Sequence, residues 1–186
     1  MVGEPGDDGR SSFLAARAGQ PLKISVKAAA LLEDAPHPHD ILTRDLSSAP
    51  YWHVERARIE GTRQVRVELV VNGFAVDQKS IEADGRVEDI EFDFTPEQSS
   101  WIALRVFPAA HTNPIFVEID GQPIRTSKRS AEWCLESVDR CWTSKSPIIR
   151  EEEREAARIA YDHARNVYRA ILQEAHDDLE SPLGPP

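Results

Sequence analysis

The segment 101–117, WIALRVFPAAHTNPIFV, constrains the fold of this chain more than any other stretch. Both of its halves are apolar, and the polar group His111-Thr112-Asn113-Pro114 separates them. Asn and Thr side chains hydrogen-bond the backbone of turns, and Pro fixes the entry to a following strand. The pattern therefore predicts two buried strands joined by a tight turn. His111 is interpreted first as a turn residue, and it is kept as a candidate interface residue.

Short runs of alternating apolar and polar residues surround this segment. Asn72-Gly73 and Asp84-Gly85 are hairpin signals because both residues of each pair tolerate positive φ. Asp120-Gly121 ends the last run. The predicted strands are 22–26, 51–59, 64–71, 74–83, 87–94, 100–107 and 114–120. Short strands at this spacing are typical of an antiparallel β-sandwich, predicted here to be immunoglobulin-like.

After Arg125 the period of the apolar residues changes from two to about 3.6, which predicts helices. The first helix is predicted over Ser130–Lys145, with Ser130 as its N-cap. Pro147 stops this helix, and a second helix is predicted over Ile149–His176. The fold class is therefore mainly β, an immunoglobulin-like antiparallel sandwich followed by two C-terminal α-helices.

Both predicted helices carry more apolar surface than one contact requires. The apolar arc of the second helix spans roughly 220°, wider than a helix packed on one surface needs. Trp133 lies nearly opposite the apolar stripe of the first helix. These residues predict a second apolar contact, and the candidate interface consists of Trp133, Tyr161, Tyr168 and His111.

The domain organisation follows from these changes in pattern. Residues 1–20 are rich in Gly, Asp and Ser and are predicted to be a flexible segment. Residues 21–125 form the predicted β-sandwich domain, and residues 126–176 form the two-helix extension. The predicted disordered tail is 177–186.

The charge balance excludes some classes of partner. The 186-residue chain has 32 acidic and 22 basic residues, a net charge of −10, whereas nucleic-acid binding needs a clustered basic surface. No apolar run approaches the ~18 residues of a membrane span. The polar, acidic beginning of the sequence is unlike a signal peptide, so a cytoplasmic location is expected.

The two cysteines predict no cross-link. Cys134 and Cys141 lie on one predicted helix, about 10 Å apart along its axis, which exceeds the ~7 Å limit between the Cα atoms of a disulfide. We expect two reduced thiols packed in the core as small apolar groups.

The sequence predicts no catalytic residue, no metal ligand and no cofactor. His37 and His39 form a His-x-His pair, but a catalytic zinc needs three protein ligands and no third lies nearby. Ser99 and Ser100 lack a neighbouring base that would make either one a nucleophile. His163, on the apolar stripe of the second helix, is expected to be a buried core residue.

Several segments resemble one protein family. They are PYWHVERARI at 50–59, VELVVN at 67–72, SSWIALRVFPAAHTNPIFV at 99–117, SKRSAEWCLESVDRCW at 127–142 and YDHARNVY at 161–168. These residues look like the C-terminal region of PHP-like metallohydrolases, the group that includes carbaryl and carbofuran hydrolases. The catalytic PHP domain of that family binds divalent metals through His and Asp clusters, and nothing here corresponds to it. The resemblance implies a noncatalytic accessory module rather than an enzyme.

Three functions remain open from the sequence. In the first, the chain is an interaction module that packs against a PHP-type catalytic domain or self-associates. In the second, it is a stand-alone ligand- or carbohydrate-binding sandwich that uses Tyr51, Trp52 or Trp101. A small hydrolase built on His37, His39 and His111 has the least support. Trp101 is also predicted to be a core anchor of the sandwich.

Overall fold

The structure, a computed structural model, describes residues 12–36, 58, 63–106 and 110–176. The chain divides into two compact units, one ending at Gln122 and the other beginning at Pro123. This division lies three residues before the predicted boundary. The predicted strand 51–59 and the His37-x-His39 pair lie almost entirely outside the described residues, as does the predicted tail 177–186.

The first unit consists of β-strands. They are β1 (Phe13–Ala16), β2 (Leu22–Ala28), β3 (Gln64–Val71), β4 (Phe74–Glu82), β5 (Glu88–Phe94), β6 (Ser100–Val106), β7 (Ala110–His111) and β8 (Ile115–Ile119). The chain is thus mainly β with two C-terminal helices, and the coarse fold class is confirmed. The predicted strands within the described ranges agree with β2, β3, β4, β5, β6 and β8 to within two residues at either end, whereas β1 and β7 were not predicted.

The strands form two sheets. The larger sheet has the order β1-β8-β6-β3-β4, with β7 also paired to β6, and the smaller sheet contains β2 and β5. Among the described strands, all pairs are antiparallel except β1 and β8, which run parallel with Phe13 opposite Phe116. The expectation of a wholly antiparallel arrangement is therefore wrong at this edge. The predicted flexible segment 1–20 is also wrong at Phe13–Ala16, because this strand pairs with the last strand of the sheet.

Both sheets contribute to one core. Alternate residues of each strand point inward, as the period of two predicts. Among the most buried side chains are Ile24 and Phe92 from the small sheet and Leu69, Ile102 and Val117 from the large one. Phe92 is 1% exposed and is among the largest fully buried side chains.

The two Xaa-Gly turn signals have different outcomes. Asn72 and Gly73 have φ of 52° and 96° and join β3 to β4 in a tight hairpin, as predicted. Asn72 also extends the neighbouring ladder, because its amide Oδ1 accepts from the Trp101 N–H at 3.0 Å. Asp84-Gly85 is not a hairpin, since β4 and β5 belong to different sheets. Gly85, with φ of 86°, turns the chain from one sheet to the other, where its N–H donates to the Ala30 carbonyl.

The His111–Pro114 segment is an irregularity within a strand rather than the turn itself. His111 pairs with Arg105, whereas Ile115 pairs with Ile102, so the strand formed by β7 and β8 contains one extra residue. Thr112 maintains the pairing, because its N–H donates to the Leu104 carbonyl and its Oγ1 accepts from the Leu104 N–H. The prediction of a turn here was wrong. The Thr112 side chain replaces a backbone acceptor, so the segment continues the strand pairing instead of reversing the chain.

The second unit is a helical hairpin. Helix α1 spans Lys128–Lys145, a 3₁₀ turn spans Ser146–Ile148, and α2 spans Glu151–Glu174. Ser127, rather than Ser130, caps α1, and its Oγ accepts from the Ser130 N–H. Three glutamates, Glu151 to Glu153, occupy the first turn of α2, where the helix dipole favours negative charge.

Trp101 does not lie in the core, which corrects the prediction. Its neighbour Ile102 is 2% exposed and belongs to the core, so the Trp101 side chain is on the opposite face of the sheet, where it is half-buried.

We expect Phe92→Ala to lower the free energy of unfolding by ~3–5 kcal/mol, because it leaves a cavity between the sheets. Trp101→Ala should cost less than half as much, since its ring is partly in contact with solvent. Urea unfolding of both variants measures the two values. A larger loss for Trp101→Ala would mean that this ring, rather than Phe92, anchors the unit.

Candidate functional site

The two helices are held together by an aromatic and ionic cluster. The rings of Trp142 on α1 and Tyr161 on α2 have centroids 5.0 Å apart at a tilt of 55°. The Arg165 guanidinium lies 5.9 Å from the Trp142 ring, and its Nε donates to Asp139 at 2.6 Å. Arg165 also bonds Asp162 at 2.8 Å. These contacts fix the register of the hairpin.

A groove of about 400 Å³ lies between the helices. Its lining is mostly apolar or small: Trp133, Cys134, Ser137, Val138 and Cys141 from α1, and Ala160, Tyr161, Ala164 and Tyr168 from α2. Small residues at Ser137, Ala160 and Ala164 leave the space open. The groove therefore has the volume of a site for a small organic group or a large side chain.

Three of the four predicted interface residues line this groove. Trp133 stands at its α1 side and is 68% exposed, while Tyr161 and Tyr168 are half-buried on its α2 side. His111 belongs to the other unit. It is exposed on β7, and its Nδ1 lies 3.0 Å from the carbonyl oxygen of Thr112. The sequence signal that found the groove was Trp133, whose position off the helix stripe indicated an external contact.

The wide apolar arc of α2 divides into two lines. One line faces α1 and is half-buried; it contains Tyr161, Ala164, Tyr168 and Leu172. The other is exposed, with Ile159 at 58% and Val167 at 41%. His163 lies on this second line and is exposed, so the prediction of a core histidine is wrong. The described part of α2 contains no fully buried residue.

The cysteines are free, as predicted, but they are not core residues. Cys134 is half-buried and Cys141 is exposed, and both line the groove. The Sγ of Cys141 lies 3.1 Å from the hydroxyl of Tyr161. The prediction failed because a residue on a helix stripe becomes buried only where a second surface covers it.

The Cys141–Tyr161 contact changes the acidity of the phenol. The hydrogen bond to Cys141, then desolvation, then negative charge on that sulfur raise the pKa of Tyr161 above its ordinary value of 10.0. Arg165 opposes the shift. The groove thus keeps a protonated phenol that can donate a hydrogen bond in neutral solution.

Two other buried polar groups in the described residues, Glu68 and Ser99, are satisfied by structural partners. Glu68 is 4% exposed and receives two bonds from Arg105, at 2.7 Å from Nε and 2.6 Å from Nη2. The Ser99 hydroxyl donates to the Gln122 carbonyl and accepts from the Ile119 N–H. Among the described residues, no three His, Cys, Asp or Glu side chains are placed to hold a metal ion.

A row of aromatic side chains crosses the outer face of the large sheet. Phe13, Phe116 and Trp101 are paired in register on the neighbouring strands β1, β8 and β6. Phe13 is 49% exposed and Phe116 is 40% exposed. The core residues alternate with them along each strand, so the row faces away from the core. This row is the second surface that has the chemistry of a binding site.

The comparisons with other proteins add no relative. No family model matches the sequence, and no curated protein and no solved structure is similar to it at a significant level. Neither helix in the described part of the chain is long and apolar enough to cross a bilayer.

The raised pKa of Tyr161 predicts a pH dependence. A raised folded-state pKa stabilises the fold fully below pH 10, and this contribution is lost as the pH rises through the folded value. Phenolate absorbance, corrected with Tyr161→Phe, should show ionisation of Tyr161 above its ordinary pKa. Cys141→Ala should return the midpoint toward 10.0, and Cys134→Ala should not. An unchanged midpoint in Cys141→Ala would contradict this assignment.

Proposed function

We propose that this chain is a noncatalytic interaction module that docks another protein surface through the groove between α1 and α2. The observation that supports it is the exposure of Trp133 beside an apolar groove lined by Tyr161 and Tyr168. Contiguous exposed apolar surface rimmed by charge is typical of protein–protein sites. Exposed tryptophan and tyrosine side chains frequently supply most of the binding energy at such sites.

The groove lining argues against chemistry at this site. The nucleophilic groups there, within the described residues, are the hydroxyls of Ser137 and two tyrosines and the thiols of Cys134 and Cys141. Ser137 Oγ already donates to the Trp133 carbonyl at 2.7 Å, the ordinary bond of a helical serine to the preceding turn. A nucleophile needs an adjacent base, and the groove provides none. Binding is therefore better supported than catalysis.

The proposal extends to the fold of the first unit as an immunoglobulin-like sandwich. With β2 and β5 as strands B and E, and β4, β3, β6 and β8 as C′, C, F and G, the neighbour relations follow those of variable-type domains. Ile24 on β2 and Ile102 on β6 are both core residues, in the strands that carry the disulfide of antibody domains. Their packing would take the place of that disulfide.

The resemblance to PHP-like metallohydrolases suggests the partner class. In that family a module of this kind accompanies a metal-dependent catalytic domain, and this chain would contribute docking surface rather than metal ligands. The module is thus proposed to support a hydrolase without itself being an enzyme or holding a cofactor.

Binding of the full chain to the PHP domain of a carbaryl-hydrolase-type enzyme tests this function. We expect complex formation by isothermal titration calorimetry, weakened at least about 30-fold by Trp133→Glu, as for a central interface tryptophan. The matched control is Val87→Glu, which replaces another exposed apolar residue, 64% exposed, in the other unit. Equal binding by both variants would exclude the groove as the docking site.

The aromatic row of the large sheet favours a second candidate function, a ligand- or carbohydrate-binding sandwich. Flat aromatic rings in register present apolar faces on which sugar rings stack, and Trp101 was predicted for this role. Titration with soluble oligosaccharides of glucose should quench tryptophan fluorescence in the native chain but not in Trp101→Phe/Phe116→Ala. Quenching that persists in this variant, or none in the native chain, would remove the candidate.

A further inference from the structure

We propose that the groove is occupied by a second copy of this chain, so that two helical hairpins form a four-helix bundle about a two-fold axis. In this dimer, Trp133 of each chain enters the groove of the other. The inference rests on the proposed function, because it requires this face to be a docking surface, and it names what covers that surface when no catalytic domain is bound.

The hairpin is incomplete as a packing unit. In the described helices the one residue that is fully buried is Ala131 of α1, and α2 has none. Helices need a second layer to cover their apolar stripes, and stable bundles generally contain three or four helices. Ile159 and Val167, at 58% and 41% exposure, extend the apolar surface beyond the groove on α2. Two more helices would cover this surface.

The face is complementary to itself. A two-fold interface requires that the same patch supply both the projecting group and the cavity that receives it. Trp133 is the projecting group, and the cavity of about 400 Å³ lies beside it on the same face. The small side chains Ser137, Ala160 and Ala164 make room for an indole. The Tyr161 hydroxyl lies in the groove as a hydrogen-bonding group.

The charges at the two rims have opposite signs. Arg129, Glu136 and Arg140 lie four residues before, three after and seven after Trp133, so they share its side of α1 and give it one net positive charge. Glu152 and Glu155 lie seven and four residues before Ile159 on α2, and Glu155 already accepts two hydrogen bonds from Arg158. Arg140 and Glu152 have only distant ionic partners, Glu136 at 3.9 Å and Arg150 at 3.8 Å.

This charge distribution selects one arrangement of the dimer. Over their whole lengths α1 has four basic and three acidic residues, KRSAEWCLESVDRCWTSK, and α2 has four basic and six acidic, EEEREAARIAYDHARNVYRAILQE. Placing α1 of one chain on α2 of the other brings the basic rim against the acidic rim twice. Placing α2 on α2 would bring the acidic rims together.

The available area is sufficient for a stable dimer. The 18 residues of α1 span about 27 Å, and two helices side by side are about 20 Å wide. The face therefore covers roughly 540 Å² on each chain, or about 1,100 Å² in total before surface relief is counted. A biological interface generally exceeds about 1,000 Å².

Sedimentation velocity of the full chain over the micromolar range tests the dimer. We expect a species of twice the 20.9 kDa chain mass. Trp133→Glu and the uncharged groove-filling variant Ala164→Phe should each raise the dissociation constant at least about 30-fold, while Val87→Glu should not. Circular dichroism confirms that each variant retains its helices. A monomeric native chain, or a Trp133→Glu variant that dimerises like the native chain, would overturn the proposal.

A charge exchange tests the arrangement itself. Arg129→Glu/Arg140→Glu and Glu152→Arg/Glu155→Arg should each be mainly monomeric alone, because the exchanged side chains then face a rim of the same net charge. Mixed together they should form a heterodimer, in which both contacts are again opposite in sign. Absence of the heterodimer would exclude the α1-on-α2 arrangement. If the native chain is monomeric but still binds the PHP domain through Trp133, the dimer is overturned and the proposed function stands. If the native chain binds neither a second copy nor the PHP domain, both proposals are overturned.

Discussion

The core of the first unit depends on the packing of the β2–β5 ribbon against the large sheet. A two-stranded ribbon is marginal by itself in water, and a sheet with one uncovered apolar face is no better. Ile24 and Phe92 of the ribbon bury their side chains against Leu69, Ile102 and Val117 of the sheet. This contact determines which side chains of each strand point into the core, because inward and outward residues alternate along a strand.

The sequence predicted this unit well wherever alternation and turn chemistry agreed. The bounds of β3 follow from a largely alternating run and from Asn72-Gly73, whose positive φ angles form the tight hairpin. Asp84-Gly85 is a turn signal of the same kind, but it connects two sheets. Such a signal indicates that the chain bends, and it does not indicate which strands then pair. The strand Phe13–Ala16 was missed for a similar reason. It is four residues long and pairs with β8, about a hundred residues away, so nothing local marks it.

The helices were predicted to within two residues at each end because their signals are local. The apolar period and Pro147 lie within or beside the helices that they mark, whereas the predicted cap was displaced, since Ser127 and not Ser130 caps α1. Burial is different, since it depends on a neighbour. Cys141 and His163 occupy apolar stripes and were expected in a core, yet both are exposed, because the single partner of each helix covers only part of its stripe. The groove residues Ser137, Ala160 and Ala164 had no signal of their own, because a small side chain indicates space only when the opposite helix is known.

This contrast in burial is the physical basis for assigning interaction to the helices. The strand unit buries the inward-facing residues of its two sheets, although its outer aromatic row stays partly exposed, and its buried carboxylate, Glu68, is bonded by Arg105. The helical unit leaves Trp133 and Ile159 exposed while pairing many of its charges within the hairpin, as Arg165 does with Asp139 and Asp162. Surface ion pairs of this kind stabilise weakly, so they do not replace a core. A second apolar surface would stabilise the hairpin by removing the exposed stripe from water. Docking at these residues would then also raise the free energy of unfolding of the hairpin, because the partner binds only the folded state.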